Sequence, residues 1–226
     1  MKKLVILTGA GISAESGIKT FRDSNGLWEN HDVMEVASIR GWHQNPALVL
    51  DFYNKRRAQA ESVQPNAAHL FLADLQEKFN VQIITQNVDD LHERAGAENV
   101  THLHGKLSEA KSEVDNNYVI DISGKEINLG DVCPKGHQLR PNIVWFGEEV
   151  PMLEKAAKIC ESADIFVIIG TSLQVYPAAG LIHNIPNNCP VFIIDPKVDE
   201  IHVPSHFTCI KATAVAGVKI LEQYLN

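Results

Sequence analysis

Four uninterrupted apolar runs of strand length constrain the fold of this chain more than any other feature. Strands buried on both faces of a parallel sheet read as continuous apolar runs, without the alternation of half-exposed strands. Helix-like segments separate or follow the runs, which predicts an α/β fold: a Rossmann-like open parallel sheet with helices on both faces. The runs are residues 4–8, 81–85, 165–170 and 191–195, and the helix-like segments are residues 46–61, 67–79, 152–162 and 213–224.

A polar, glycine-containing stretch from Lys106 to about Leu139 interrupts this pattern and shows only short alternation, such as YVIDI. We interpret residues 106–138 as a small inserted module and residues 1–105 with 139–226 as the discontinuous main domain. A second polar stretch, residues 19–32, is a loop long enough to be functional.

Composition excludes several classes of protein. The 226 residues are 45% hydrophobic and carry a formal net charge of −8, which argues against nucleic-acid binding because that mode needs a basic face. The first strand begins near Lys3 and no run is long enough to span a membrane, so we expect a cytoplasmic monomer without a membrane partner. Cys133, Cys160, Cys189 and Cys209 fit no disulfide framework, and we expect three of them in the core.

The first apolar run is followed at once by Gly9, Gly11 and Ala14, which fit the pattern GxGxx(G/A) between a strand and a helix. Glycines there allow backbone amides to approach a pyrophosphate. A plain strand-to-helix turn is the alternative. Gly170, Thr171 and Ser172 follow another apolar run, so two strand ends could line one crevice.

Asp195 ends the run VFIID. A carboxylate at the end of a strand can accept hydrogen bonds from both hydroxyls of an adenosine ribose and would repel a 2′-phosphate, which favours NAD over NADP. An aspartate before a proline is also a common turn former, so both interpretations remain open.

Five ordered motifs, GAGISAESGIKTFR, TQNVDDLHERAG, HLHG, RPNIVWFGE and GTSLQVYP, resemble those of the sirtuin family of NAD-dependent protein lysine deacylases. The resemblance spans residues 4–212 and implies release of nicotinamide and O-acyl-ADP-ribose from acylated lysine side chains of proteins. It implies that His104 is the catalytic base, that Phe21 shields the reacting sugar and that Asp89 binds the carboxamide of nicotinamide. The implied NAD-binding residues are Gly9, Ala10, Gly11, Ser13, Ala14, Thr20, Phe21, Arg22, Trp28, Gln86, Asn87, Val88, Asp89, Gly170, Thr171, Ser172, Asp195 and Ala212.

The resemblance also implies that a substrate peptide pairs as a strand between the segments VWFGE and SLQV, although VWF could equally be an ordinary buried strand. The peptide-binding residues so implied are Val144, Phe146, Gly147 and Val175.

Tyr53 and Arg56 lie three residues apart on one predicted helix face. With Ala37 they match the sirtuin subclass that removes succinyl and malonyl groups, because Arg56 could pair with a carboxylate. Otherwise Arg56 would be a solvated helix residue, the default for Lys55 and Arg57.

This chain departs from the family at the small module, where most sirtuins bind zinc through two CxxC pairs. Ser112 and Asp115 align with the first pair, and only Cys133 remains of the second. Because a closed zinc site needs four good ligands, we predict no bound metal and expect Tyr118, Val119 and Ile120 to stabilise the module by packing. Lys19 also replaces the usual proline of the family's GIPxFR motif.

Three other functions share some of these motifs. A sirtuin-like ADP-ribosyltransferase would use the same NAD site, and a non-catalytic NAD-sensing module would need only binding. An ordinary Rossmann dehydrogenase would need a hydride-transfer constellation that the sequence lacks.

Overall fold

The computed structural model describes residues 1–19, 27–28 and 30–225. Within these ranges six strands pair into one sheet in which all neighbours are parallel. The predicted α/β fold with an open parallel sheet is therefore confirmed. With strands numbered along the chain, the sheet order is β11 (Thr208–Ile210), β10 (Val191–Ile194), β9 (Ile165–Ile169), β1 (Lys3–Thr8), β4 (Asn80–Thr85) and β5 (Val100–His102).

The chain builds this sheet outward from β1 in both directions. β4 and β5 extend it on one side, and β9, β10 and β11 extend it on the other. The strand order therefore reverses between β1 and β9, and open α/β sheets form a ligand crevice at the carboxyl ends of the strands at such a reversal. Gly9 follows β1 and Gly170 follows β9, so both glycine clusters lie at this crevice.

Helices cover both faces of the sheet. α4 and α7 pack on one face, while α6 and a 3-10 segment pack on the other. Alternate side chains of β1 enter these two clusters, and Leu4, Val5, Ile6 and Leu7 are all 0% exposed. Burial on both faces explains why the strand sequences contain no polar alternation. The bounds are α4 (Ala67–Asp74), α6 (Leu153–Glu161), α7 (Ala214–Leu225) and the 3-10 segment Ala178–Asn184.

Three further helices follow the predicted polar loop and are well capped. Asp32, Ser38 and Asn45 each accept a hydrogen bond from a backbone N–H of the first turn that follows, which satisfies donors left free at a helix start. These helices are α1 (Val33–Val36), α2 (Ile39–Gln44) and α3 (Pro46–Ser62), and they follow the two-residue strands β2 (Leu27–Trp28) and β3 (His31–Asp32).

The predicted inserted segment forms a three-stranded antiparallel sheet. Its apolar side chains share a cluster with α1, α2 and α3. Tyr118 and Ile120 pack against this cluster, whereas Val119 is exposed, so the expected packing role of Val119 is wrong because its side chain faces solvent. The strands are β6 (Gly105–Ser112), β7 (Val119–Asp121) and β8 (Leu139–Ile143).

Several elements differ from the sequence-based expectation. The helix expected over residues 67–79 ends at Asp74 and tightens into the 3-10 turn Leu75–Glu77, a common helix ending. The short strands β5 and β11 were not predicted, nor were α1, α2 and α5 (Leu91–Arg94). The helix expected directly after the first glycine cluster is absent from the described residues, which form two 3-10 turns there, Ala10–Ile12 and Ala14–Ser16. Cys133, Cys160 and Cys189 are buried free thiols, as expected.

Gly11→Ala is expected to destabilise the fold because a Cβ at residue 11 would lie 2.6 Å from the Gly170 Cα. Overpacking of this kind costs about 1–3 kcal/mol, measurable as a shift in the denaturation midpoint. Gly180→Ala is the matched control, since its nearest neighbour would lie 3.9 Å away. Equal stability of the two variants would show that the contact between the glycine turns is not a tight one.

Candidate active site

A cavity of about 430 Å³ opens at the carboxyl ends of four parallel strands, at the reversal of strand order. The residues that directly follow β1, β4, β9 and β10 all line it: Gly9, Gln86, Gly170 and Asp195. Motifs that are distant in sequence therefore meet in one crevice.

Close backbone contact shapes the end of the cavity that is formed by the two glycine turns. The Gly9 N–H donates to the Ile169 carbonyl at 3.0 Å, and the Gly11 N–H donates to the Gly170 carbonyl at 2.9 Å. Gly170 has a φ of +64°, and a Cβ there would lie 2.5 Å from the Ile12 nitrogen. The glycines are required because any side chain would push the two turns apart.

A buried polar network lies beside this turn. The Ser13 hydroxyl donates to Asp89 Oδ2 at 3.2 Å and accepts from Asn87 Nδ2 at 3.1 Å. His69 Nε2 lies 3.5 Å from the same hydroxyl, and because His69 Nδ1 accepts from the Asn66 N–H, Nε2 is a donor in the neutral ring. The amide and the carboxylate are thus held in fixed positions in a dry pocket.

Burial raises the pKa of Asp89 above that of an ordinary aspartate, and hydrogen bonds from the Leu91 N–H and the Ser13 hydroxyl oppose that rise. Burial also lowers the pKa of His69 to about 4, so that ring is neutral at physiological pH. The pocket therefore offers hydrogen-bond acceptors and donors with little exposure to water.

His104 has the geometry of a proton acceptor. Its Nδ1 lies 2.9 Å from the Gln86 carbonyl oxygen, which can only accept, so Nδ1 carries the ring hydrogen and Nε2 carries the lone pair. Burial lowers the pKa of His104, while the bond to the Gln86 carbonyl opposes that shift. The neutral, proton-accepting form consequently persists below the usual titration range.

The far end of the cavity contains Asp195 at the end of β10. Asp195 is buried and accepts a hydrogen bond from the Lys197 N–H at 2.8 Å. Near it, Glu15 accepts hydrogen bonds from the Thr213 hydroxyl and the Val215 N–H, and so ties the first glycine turn to the start of α7.

The opposite end is aromatic and cationic. Tyr53 and Arg56 lie on α3, and the Arg56 guanidinium sits 4.6 Å from the centre of the Trp28 ring. The Trp145 Nε1–H donates to the Tyr53 hydroxyl at 2.9 Å. Arg57, expected in solvent, is 3% exposed and donates to the Leu107 carbonyl. That expectation is wrong because the side chain extends from α3 towards β6.

The segment after β8 runs along one side of this cavity. The Phe146 N–H donates to the Ala37 carbonyl, and the Phe146 carbonyl accepts from the Ile39 N–H. Gly147 has a φ of +93°, and within the described ranges its N–H has no hydrogen-bond acceptor. Phe146 is exposed at the surface.

The cavity brings together nearly all of the described residues that the sequence nominates. Ala212 is the exception: it packs against the sheet core, whereas its neighbours Thr213 and Ala214 line the cavity. Thr20, Phe21 and Arg22 lie outside the described residues. The nominated residues that line the cavity are Gly9, Ala10, Gly11, Ser13, Ala14, Trp28, Ala37, Tyr53, Arg56, Gln86, Asn87, Val88, Asp89, His104, Val144, Phe146, Gly147, Gly170, Thr171, Ser172, Val175 and Asp195.

Sequence reasoning missed some lining and supporting residues. Glu15, Trp145 and Lys197 line the cavity without having been nominated. Lys197 follows Asp195 by two residues, which is a weak signal. From the sequence, His102 was placed on the opposite face of an extended segment from His104 and was given no chemical role. That placement is wrong, because alternate residues of an extended segment project to the same side, and both rings contact carbonyls of the loop of residues 86–89.

The family model for the Sir2 family matches residues 9–177. The chain belongs to the Sir2 family. An NAD-dependent protein deacylase from Helicobacter pylori is 55% identical over 221 residues, 98% of this chain and 96% of that protein. One from Bacteroides thetaiotaomicron is 51% identical over 230 residues, 100% of this chain and 98% of that protein.

Solved Sir2 structures resemble this Sir2-family chain along its whole length. A Sir2 homolog–NAD complex superimposes with a TM-score of 0.86 at 37% identity, covering 100% of this chain and 91% of that chain. A mutant Sir2 homologue with ADP-ribose gives a TM-score of 0.88 at 37% identity, covering 99% and 93%. In the described part of this Sir2 protein, no helix has the length and apolar character to cross a membrane.

The apo His104 imidazole is expected to titrate below the ordinary histidine pKa of about 6.5, because burial disfavours its cation. Its ring signal can be followed by NMR as pH falls, with His104→Ala identifying the resonance. A His104 midpoint at or above the ordinary value of about 6.5 would contradict the prediction.

Proposed function

We propose that this Sir2-family chain is an NAD-dependent protein lysine deacylase that prefers succinyl-lysine or malonyl-lysine over acetyl-lysine. The observation that carries the proposal is that Tyr53 and Arg56 line the same cavity as His104 and the glycine turns. A cationic side chain that could bind an acidic acyl group and a histidine that could accept a proton therefore line one site. The comparisons support the deacylase class through the named relatives, and the side chains support the acyl preference.

The residues at the glycine turns fit a dinucleotide. A Cβ on Gly9, Gly11 or Gly170 would strike the opposing turn, so these turns leave backbone rather than side chains facing a pyrophosphate. Asn87 and Asp89 would hold the carboxamide of nicotinamide, and Asp195 would accept from ribose hydroxyls while repelling a 2′-phosphate. NAD, when bound, supplies the ADP-ribosyl group that receives the acyl group as nicotinamide leaves.

His104 would take a proton from a ribose hydroxyl in this reaction. Its Nδ1–H is committed to the Gln86 carbonyl, which fixes the ring orientation and leaves Nε2 as the base. A base with a lowered pKa remains neutral at physiological pH, so the proton-accepting form is the resting form.

Tyr53 is prepared to donate to an anionic acyl group. Its hydroxyl oxygen already accepts from the Trp145 Nε1–H, and within the described ranges its own hydrogen has no acceptor. Burial raises the pKa of Tyr53, with the Trp145 hydrogen bond opposing, so the phenol stays protonated. The hydroxyl can therefore donate to a carboxylate in the cavity.

Arg56 supplies the matching charge. It is 7% exposed, and a guanidinium keeps its charge in proteins and can bind a carboxylate through two parallel hydrogen bonds. Ala37 is small and lines the same cavity, which leaves room for a longer acyl chain. An acetyl group would bring no charge to pair with Arg56.

The substrate peptide would lie along the segment that contains Phe146 and Gly147. The Phe146 backbone is already paired with Ala37 and Ile39, whereas the Gly147 N–H remains available to a peptide carbonyl. Backbone pairing of this kind places little demand on the peptide sequence.

Arg56→Met should lower kcat/KM for succinyl and malonyl peptides about 10- to 100-fold, the worth of a hydrogen bond to a charged group of about 1.5–3 kcal/mol. The acetyl peptide should lose far less. Lys55→Met is the matched control, since Lys55 is exposed and pairs with Asp51 on the same helix. A mass-spectrometric panel of acetyl, malonyl, succinyl and glutaryl peptides with NAD measures all of these rates.

Two results in that panel would contradict the proposal. Equal losses on acetyl and succinyl peptides would remove the acyl preference but leave the deacylase. Absence of NAD-dependent O-acyl-ADP-ribose from the parent protein, with His104→Ala as the negative control, would remove the deacylase itself and leave ADP-ribosyl transfer or NAD sensing.

We further propose that the small module contains no zinc. Cys133 is the one thiol in residues 105–143, and Ser112, which contacts its Sγ at 3.8 Å, is a poor ligand. Lys135 pairs with Asp115 at 2.8 Å across the same two loops. In the described part of the chain no three His, Cys, Asp or Glu side chains cluster as metal ligands would.

Metal analysis of protein purified without chelators or a histidine tag should find far less than one zinc per chain, because these ligands cannot close a tetrahedral site. Added zinc should leave the thermal unfolding midpoint unchanged. One equivalent of zinc that survives dialysis would overturn this proposal.

A further inference from the structure

A charged cluster lies behind the loop of residues 86–89, among residues that do not line the cavity. Glu93 Oε1, on α5, lies 2.8 Å from His102 Nε2 at the end of β5 and 2.9 Å from Lys106 Nζ on β6. His102 is buried, while Glu93 and Lys106 are partly buried. The proposed chemistry uses none of these three side chains.

The partners of His102 define its protonation. Its Nδ1 lies 3.0 Å from the Asn87 carbonyl oxygen and its Nε2 faces the Glu93 carboxylate. A carbonyl only accepts, and an ionised carboxylate only accepts, so both ring nitrogens donate. Burial raises the pKa of Glu93, but bonds from His102 and Lys106 outweigh it and lower the pKa to about 2, so the Glu93 carboxylate is an ionised acceptor.

Three consecutive carbonyls of the loop are held from one segment of chain. Gln86 accepts from His104 Nδ1, Asn87 accepts from His102 Nδ1, and Val88 accepts from the Leu107 N–H at 2.8 Å. Two of these donors are imidazoles spaced two residues apart, so the ring of the proposed base and the ring of His102 fix adjacent peptide groups. Asn87 and Asp89, which point into the cavity, depend on that peptide geometry.

We propose that His102 is a positioning residue: held by Glu93, it fixes the Asn87 carbonyl so that Asn87 and Asp89 present their side chains to the nicotinamide end of NAD. The inference rests on the proposed NAD site and extends it to a residue outside the cavity. His102 itself touches no substrate.

Two substitutions separate this role from a structural one. His102→Asn keeps an N–H donor near the position of Nδ1, which can reach the Asn87 carbonyl. His102→Gln keeps a donor near the position of Nε2, which can reach Glu93 but not the carbonyl. Lys106→Met is the control, because it removes a partner of Glu93 and leaves His102 in place.

The first readout is hydrogen–deuterium exchange of the backbone amides of residues 86–91 in the free protein. His102→Gln should accelerate their exchange about tenfold, the effect of one lost hydrogen bond. In His102→Asn and Lys106→Met the exchange rates should stay within about threefold of those of the parent, a factor that corresponds to about 0.65 kcal/mol.

The second readout is calorimetric affinity for NAD and for ADP-ribose, which lacks nicotinamide, measured in the presence of an acylated peptide unable to react. His102→Gln should weaken NAD binding about tenfold and ADP-ribose binding less than threefold, and should raise the KM for NAD more than it lowers kcat. His102→Asn should restore both values.

The outcomes distinguish the two proposals. Equal exchange and equal NAD affinity in the Asn and Gln variants would overturn the role of His102, even in an active enzyme. Loss of NAD and ADP-ribose affinity to the same extent would also overturn it, because the effect would then not be confined to nicotinamide. If the variants show the expected changes in exchange and affinity but the parent protein has no deacylase activity, the positioning role of His102 is supported and the proposed function is contradicted.

Discussion

The whole site depends on the contact between two glycine turns at the carboxyl ends of β1 and β9. The Gly11 N–H reaches the Gly170 carbonyl, and neither residue has space for a Cβ. This contact fixes the ends of the two strands at which the sheet order reverses, and it sets the position of the turn that carries Ser13. Ser13, one turn further on, is thereby brought to Asn87 and Asp89 at the end of β4.

Burying the polar groups of the site costs free energy, and hydrogen bonds between these groups offset part of that cost. Asp89 receives two hydrogen bonds, the Ser13 hydroxyl uses both its donor and its acceptors, and each ring nitrogen of His102 has an acceptor. Low dielectric strengthens such bonds and makes every unpaired group costly. Because the hydrogen-bonding groups of Ser13, Asp89 and His102 are paired, these side chains have few alternative arrangements.

Local patterns allowed prediction of the four central strands, the flanking helices, the two glycine clusters and Asp195, because apolar runs, glycines and strand ends carry that information directly. The other nominated residues of the cavity were implied by the resemblance to the sirtuin family. The edge strands β5 and β11 have three residues each, too few for any periodicity. Arg57 and Trp145 were missed for another reason: a carbonyl at Leu107 and a hydroxyl on Tyr53 decide their positions, and these partners are 50 and 92 residues away. Only the assembled fold supplies such partners. His102 is a different case, because it was given no role from the sequence although its spacing from His104 places both side chains on one face of an extended segment.

Leu107, on the first strand of the small module, connects the two ends of the cavity. Its N–H donates to the Val88 carbonyl in the loop of residues 86–89, and its carbonyl accepts from Arg57 Nε on α3, next to Arg56. Its side chain enters the apolar cluster that also contains Tyr53 and Trp145. The first strand of the module therefore shares a core and a chain of hydrogen bonds with α3 and with that loop. Loosening this core would disturb both walls of the cavity together.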